Sequence, residues 1–361
     1  MTKAGMKILL LSRYSRLGAS SRLRSYQYLP FLKSHGIDVA VAPLLNDDYV
    51  KSLYMEEKKP VFSILGAFIR RLGNLLNSNR FDLVWIEYEI FPWLPAWMEM
   101  ILTWAGIPYI VDYDDAIFHR YDLNPHRAVR TFLGNKINKI MKQAEIVIAG
   151  NLYLANSAIR AGTKRVEYIP TVIDLDRYSI KDRMNTDAFK IGWIGSPKTA
   201  KYLNLVKPAI SHLYNKGNIS LSLVGSGRLE LDDVPIKILK WSEETEVSDI
   251  QNFDVGIMPL PDNPWERGKC GYKLIQYMAC GKPVVASPVG ANTEIVEQGI
   301  NGFLAGSTEA WQEALTILRN NPDLREKMGL AGRKIVEKKY CKQVTAPKLL
   351  SIFKSMRGRR N

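Results

Sequence analysis

Lys269-Cys-Gly-Tyr-Lys-Leu-Ile-Gln-Tyr-Met-Ala-Cys-Gly-Lys-Pro-Val-Val-Ala-Ser-Pro-Val-Gly290 is the densest stretch of the 361-residue chain. Two glycines flank a lysine in Gly268-Lys269-Cys270-Gly271, just ahead of a helix read over Tyr272 to Cys280. Gly281 stops that helix, and Pro283 two residues on opens a buried strand, Pro283–Ala286. A lysine between glycines at a helix start makes a nest of N–H groups with a cation in it, suited to an anion. Lys273 lies one turn before Gln276 on the same helix face, so both can point at one ligand. The alternative for this pair is an ordinary solvated stripe. The C-terminal edge of a parallel sheet, where open α/β folds bind ligands, favours the first reading.

The same helix–strand rhythm extends through nearly the whole chain. Lys7–Leu11, Asp38–Pro43, Leu83–Glu87, Tyr109–Asp112 and Ile146–Ala149 read as buried strands, with helical segments such as Ser21–His35 and Trp93–Ala105 between them. The pattern lapses over the polar stretch Asp174–Ala188. A second series then runs through Phe189–Ile194, Ile219–Val224, Ile236–Lys240, Val255–Pro259, Pro283–Ala286 and Gly302–Ala305. Alternation of this kind predicts an α/β protein with two Rossmann-like domains. We expect an N-terminal domain over 1–175, a C-terminal domain over 189–332, and a basic C-terminal segment over 333–361.

Composition narrows the class. Hydrophobic residues at 46% and charged residues at 24% exclude a disordered chain. Cys270, Cys280 and Cys341 form no CxxC pair and are odd in number, which argues against a disulfide framework and fits a reducing compartment. The four histidines stand in no metal-ligand spacing, so no metal is assigned. Met6–Leu11 is too short for a secretory signal core. Ile90 to Val111 imitates a membrane span but carries Glu99 and three prolines, so a helix followed by a strand is expected. The expected location is cytoplasmic, with peripheral contact to the inner face of the cell membrane.

The formal charge is +14, and it is uneven. From Arg333 to Asn361 ten Lys/Arg face the single acid Glu337, a net of +9. A second basic stretch runs from Arg127 to Lys142 through Arg130, Lys136 and Lys139, and the apolar run Val61–Ile69 ends in Arg70 and Arg71. An anionic lipid surface or an acidic substrate suits such groups, and so does a plain solvated helix face. No nucleic-acid-binding motif is present, so a nucleic-acid partner is not expected.

Further junctions have the strand–glycine–helix form that holds phosphate. Gly18-Ala19-Ser20-Ser21 opens a helix with Arg22 and Arg24 in its first turn, where arginines can fork onto phosphate or simply face water. Gly192-Trp193-Ile194-Gly195-Ser196-Pro197-Lys198 and Val224-Gly225-Ser226-Gly227 close two strands of the second half. None is G-x-G-x-x-G, and each alone is a weak signal.

Taken together, Lys269–Gly290, Glu294, Gly299-Ile-Asn-Gly302, Ile169-Pro-Thr-Val-Ile-Asp174, Gly195 and Val224-Gly-Ser-Gly227 resemble, in order and spacing, the retaining glycosyltransferases of family 4. The resemblance covers nearly the whole chain and is looser before residue 80. It implies the GT-B fold, two Rossmann-like domains facing each other across a cleft. It also implies transfer of a sugar from a nucleotide diphosphate sugar, held by the C-terminal domain, to a saccharide or lipid-linked acceptor held by the N-terminal domain, in cell-surface polysaccharide or glycolipid synthesis. The family works without a bound metal, and its last helix returns to the N-terminal domain.

Two family glutamates eight residues apart fall here on Gly268 and Gln276, so both depart from the pattern. Gln276 can still bond hydroxyls, and Glu266, on the same loop as Gly268, is the candidate for the missing carboxylate. Of the family's diphosphate cations, the arginine position is Ser196; Lys198 or Lys201 takes the lysine role and Lys269 compensates. Trp241 falls where the family contacts the base, or is a core side chain. Asp112-Tyr113-Asp114-Asp115 looks like a D-x-D metal motif but lies in the N-terminal half. Asp114 falls where a family histidine contacts the transferred sugar, so Asp114 and Asp115 are expected near sugar or acceptor hydroxyls, or in an Asx-rich turn. Glu87 and Glu89 are weaker candidates for the same crevice. An epimerase acting on a nucleotide sugar and a non-catalytic nucleotide-sugar binder are the competing classes.

Overall fold

The computed structural model describes residues 5–54, 61–181, 188–229 and 234–357. The chain divides into two compact units, Met1–Thr171 with Thr345–Asn361, and Val172–Val344.

The first unit is built on a six-stranded sheet in the order β2-β1-β3-β4-β5-β6. Its strands are β1 (Met6–Leu11), β2 (Ile37–Val41), β3 (Leu83–Glu87), β4 (Tyr109–Tyr113), β5 (Ile146–Ala149) and β6 (Val166–Tyr168). The second unit repeats the plan in the order β12-β11-β10-β7-β8-β9. There the strands are β7 (Phe189–Ile194), β8 (Ile219–Val224), β9 (Ile236–Leu239), β10 (Val255–Met258), β11 (Val284–Ala286) and β12 (Gly302–Leu304). Every ladder is parallel. Parallel strands covered on both faces read as unbroken apolar runs, which is why Ile8–Leu11, Val84–Ile86 and Ile146–Ala149 are buried throughout. In each sheet the strand order reverses once, at β1/β3 and at β7/β10. Crevices for ligands open there, beyond the carboxyl ends of the strands.

Three local expectations change. Ser21–His35 is not one helix: Ala19–Arg24 and Leu29–Ser34 are α-helical, with a 3₁₀ turn Tyr26–Tyr28 between them. Pro30 starts the second piece, and its ring cannot sit in a continuous helix interior. The helix expected from Trp93 begins at Trp97, after Pro95 and a left-handed Trp93 (φ +67°). Strand β6 lies in a region where no strand was expected, because it is short and only half-buried.

At the C-terminus, helix Pro322–Lys339 belongs to the second unit, and the following helix, Lys342–Ser355, joins the first unit from Thr345 onward. Phe353 packs edge-on against Trp85 at 5.0 Å, and Thr345 Oγ1 lies 2.8 Å from the Tyr28 hydroxyl. The basic segment is therefore not uniformly solvated. The Arg333 guanidinium donates to the carbonyls of Tyr178 and Ala279 and pairs with Glu337 at 2.6 Å. Arg359 and Arg360 lie outside the described residues.

Ile90 to Val111 resolves into helix Trp97–Trp104 and strand β4, and no helix among the described residues is long and apolar enough to cross a membrane. Glu99 faces inward, 1% exposed. Its Oε1 accepts from the Ile90 N–H at 2.8 Å, while Oε2 has no hydrogen-bond partner. Burial pushes its pKa up to about 7, against the pull of Lys136. A carboxyl raised in this way stabilises the fold while protonated, and that stability drains away as pH rises from the usual carboxylate range through about 7. Glu99→Gln should therefore raise the melting temperature at pH 8, by up to about 3 kcal/mol of stability, and change little at pH 5. Thermal denaturation at the two pH values checks this; an equal shift at both would contradict it.

Candidate functional site

In the second unit the β7/β10 switch point gathers the residues with chemistry. β7 ends at Gly195, whose N–H donates to the Val224 carbonyl at 3.0 Å. A side chain there has no room: a Cβ would sit 2.6 Å from the Trp193 ring and 2.8 Å from Lys273 Cε. Gly225 (φ +76°) is equally constrained, since its Cβ would lie 2.5 Å from the Gly195 carbonyl oxygen. The two glycines let the ends of β7 and β8 close on each other and leave the space over Trp193 to Lys273.

Lys273 is half-buried on helix Tyr272–Ala279, its ammonium 4.5 Å from the Trp193 ring centroid and 3.5 Å from Thr199 Oγ1. Burial drives its pKa down to about 7; Lys269 adds to the drop and Glu266 opposes it. Glu266 is held in place by the short helix Pro264–Arg267, where Asn263 Oδ1 accepts from the Glu266 N–H at 3.1 Å. Its Oε1 accepts from the Tyr202 hydroxyl. Its Oε2 is buried with no hydrogen-bond partner, the nearest cation being Lys269 Nζ at 3.8 Å. Glu266, Lys269 and Lys273 thus form one cluster of carboxylate and ammonium groups.

Gln276, one turn further on, belongs to a different cluster. Its amide donates to the Tyr178 hydroxyl at 3.2 Å and to Glu246 Oε2 at 3.4 Å. Glu246 also accepts from Tyr178 at 2.8 Å and from Trp241 Nε1 at 3.0 Å. An amide thus stands where the resemblance expects a carboxylate, and a carboxylate reaches it from helix Glu246–Gln251. Glu246, Tyr178 and Tyr202 were absent from the sequence reading. They arrive from other elements, and only the five-residue step from Trp241 to Glu246 hints at one of them. Lys198 and Lys201 are exposed on the turn after β7; Lys201 Nζ sits 5.4 Å from the centroid of the Tyr202 ring.

In the first unit, the ends of β1, β3 and β4 carry the carboxylates. Glu87 accepts from the Arg13 N–H at 2.9 Å and from Ser21 Oγ at 2.6 Å, and its Oε1 is buried with no hydrogen-bond partner. Burial lifts its pKa to about 7, with Asp114 adding to the rise. Asp114 is half-buried and receives the hydroxyl of Tyr88, itself in a left-handed conformation (φ +64°); Asp115 is its half-buried neighbour.

Some candidates take structural posts. Asp112 does not converge with Asp114: Arg24 binds it through Nε at 2.8 Å and Nη2 at 2.7 Å, inside the unit. Arg24 is thus committed to the core and is not a phosphate ligand at the surface. Arg22 is buried, with Nη1 3.3 and 3.4 Å from the carbonyls of Arg16 and Leu17. Gly18 precedes helix Ala19–Arg24 and lies against the Tyr14 side chain. Glu89 is a buried hub for Lys136 at 2.7 Å and the Tyr121 hydroxyl, which removes Lys136 from the solvated basic stretch. Among the described residues no group of three His, Cys, Asp or Glu is arranged to hold a metal ion.

Residues 188–321 match the sequence profile of the family described as glycosyl transferases group 1. The second unit carries a group 1 glycosyl transferase domain. CapM of Staphylococcus aureus, a capsular polysaccharide biosynthesis glycosyltransferase, is 26% identical over 195 residues, 50% of this chain and 50% of its own. The matched region therefore spans about half the length of that curated relative. Among solved structures, sucrose-phosphate synthase from Thermosynechococcus elongatus is similar with a TM-score of 0.74 at 14% identity, over 97% of this chain and 99% of its own. HepE of Anabaena, in complex with UDP-glucose, has a TM-score of 0.69 at 17% identity, over 97% and 99%. Likeness at such identity speaks to the fold, which is GT-B.

The close approach at Gly195 sets a test of the site in the group 1 domain. Gly195→Ala should cost about 1–3 kcal/mol by urea denaturation, the usual penalty of overpacking. A neutral or stabilising result would mean that the space over Trp193 is not filled as described.

Proposed function

We propose that the protein is a retaining glycosyltransferase. It moves a sugar from a nucleotide diphosphate sugar to a saccharide or lipid-linked saccharide, in the synthesis of a cell-surface polysaccharide or glycolipid at the inner face of the membrane. One observation carries the reading: two lysines and a buried carboxylate, one of whose oxygens has no hydrogen-bond partner, converge at the switch point of a group 1 glycosyl transferase domain. The UDP-glucose of HepE and the capsular polysaccharide role of CapM supply the chemical class by analogy.

In this reading the donor's diphosphate lies against Lys269 and Lys273, and the transferred sugar against Glu266. An arriving dianion reverses the burial penalty on Lys273, so the ammonium form is bound and faces the charge that grows on the leaving diphosphate. The C1–O bond to the phosphate breaks and a new C1–O bond forms to the acceptor hydroxyl on the same face of the sugar. The hydroxyl proton passes to the departing phosphate oxygen. Asp114 and Asp115 orient acceptor or sugar hydroxyls. The lysines supply the positive charge, and no metal takes part.

Nucleoside diphosphate binding, followed by calorimetry from pH 6 to 9, tests this. Free Lys273 loses its proton near pH 7, so affinity should weaken above that value by about tenfold per pH unit. Lys273→Met should bind weakly and without this pH dependence, and Glu266→Gln should keep donor affinity while turnover falls about 10²-fold. Wild-type affinity that is flat with pH, or full turnover in Glu266→Gln, would contradict the assignment.

A further inference from the structure

We propose that one helical face of the first unit docks on an anionic lipid bilayer. This deepens the reading of a lipid-linked acceptor.

Helix Val61–Leu76 is apolar on two sides. Ala67, Arg71 and Leu75 are buried, and the side turned away exposes Leu65, Ile69, Leu72 and Leu76, at 59, 64, 40 and 70%. A helix apolar on its outer side has a hydrophobic medium or partner against it. Helix Trp97–Trp104 adds Trp97 and Trp104, seven residues apart and so on one side, 50 and 72% exposed. Trp93, also half exposed, is fixed outward at φ +67° by an N–H bond of 3.1 Å to the Tyr121 hydroxyl and an edge-on contact with its ring.

Topology gathers these elements. The chain runs from β1 to β2 in one direction across the sheet, and from β2 through β3 and β4 to β5 in the other. Right-handed crossovers then set Val61–Leu76, Trp97–Trp104 and Lys136–Gln143 side by side on a single face. Phe68, its ring tilted against Phe91 at 5.3 Å, and Thr103, within 3.5 Å of Gln143, join neighbours across it. The C-terminal helix, packed on Tyr28 and Trp85, lies on the opposite face, so its described basic residues are not part of this surface.

Charge identifies the occupant. Residues 61–81 and 127–144 contain no Asp or Glu. Arg80, Lys139 and Lys142 are exposed on these segments, and Arg70, also exposed, donates to the Leu44 carbonyl at 3.1 Å. Tryptophans at a rim, aliphatic side chains and basic groups together match the headgroup region of an anionic bilayer. Protein interfaces are depleted in lysine, which disfavours a protein partner.

Co-sedimentation of the full chain with phosphatidylglycerol and with phosphatidylcholine vesicles at low salt tests the proposal. Binding should favour phosphatidylglycerol and shift tryptophan emission to the blue. Both Ile69→Ser with Trp104→Ala, and Lys139→Glu with Lys142→Glu, should weaken it by at least about tenfold, with melting temperatures unchanged. Either pair binding vesicles like the wild type would overturn the proposal, as would no vesicle binding at all. So would a dimer in light scattering that Ile69→Ser dissociates, because the face would then belong to a second copy. Nucleotide binding is read separately, so a failure of the transferase reading does not decide this result.

Discussion

The ammonium of Lys273 held over the Trp193 ring is the interaction on which the second unit's chemistry depends. A lysine removed from water needs compensation, and the indole face gives only part of it. The remainder is what an anion would supply. Placing the charge there requires Gly195, because any side chain would occupy the same space, and Gly225, which lets the neighbouring strand end close behind. The turn Gly268–Gly271 then brings Lys269 and Glu266 to the same spot. The arrangement is poised rather than relaxed: a cation with a pKa lowered to about 7 beside a carboxylate oxygen with no hydrogen-bond partner.

Both units use one topological device and fill it with different side chains. Beyond β7/β10, the turn and helix that follow carry Lys269 and Lys273 beside Glu266. At β1/β3 and the adjoining end of β4 the chain carries Glu87 and Asp114, with Glu87 raised to about 7 by burial. Cations suit a leaving diphosphate, and carboxylates suit sugar hydroxyls. That division of labour follows from which side chains each sheet exposes at its carboxyl edge. The first unit spends its arginines on holding itself together, as Arg24 on Asp112 and Arg22 on loop carbonyls illustrate.

Much of the fold was legible because buried parallel strands leave short apolar runs bounded by turn residues. Leu83–Glu87, Ile146–Ala149, Phe189–Ile194 and Ile219–Val224 match their expected bounds. β6 escaped because its residues are half-exposed and carry no such run. Of the candidate site, Lys269, Lys273 and Glu266 were legible because they share one short stretch around a glycine turn. Tyr202 and Glu246 were not: each reaches its partner from a helical segment distant in sequence, and only the strand order makes them neighbours. Asp112, close to Asp114 in sequence, takes a different part: it lies inside β4, where Arg24 claims it, whereas Asp114 follows the end of the strand at Tyr113.

The central claim is that the Lys269–Lys273 turn of the second unit receives a nucleotide diphosphate sugar. An experimental structure of the chain with an intact nucleotide sugar tests it most directly. The account predicts diphosphate oxygens within hydrogen-bond distance of both lysine Nζ atoms, with the sugar against Glu266. A nucleotide seated instead on the strand ends of the first unit, with Lys273 still lying over Trp193 and touching no phosphate, would contradict it.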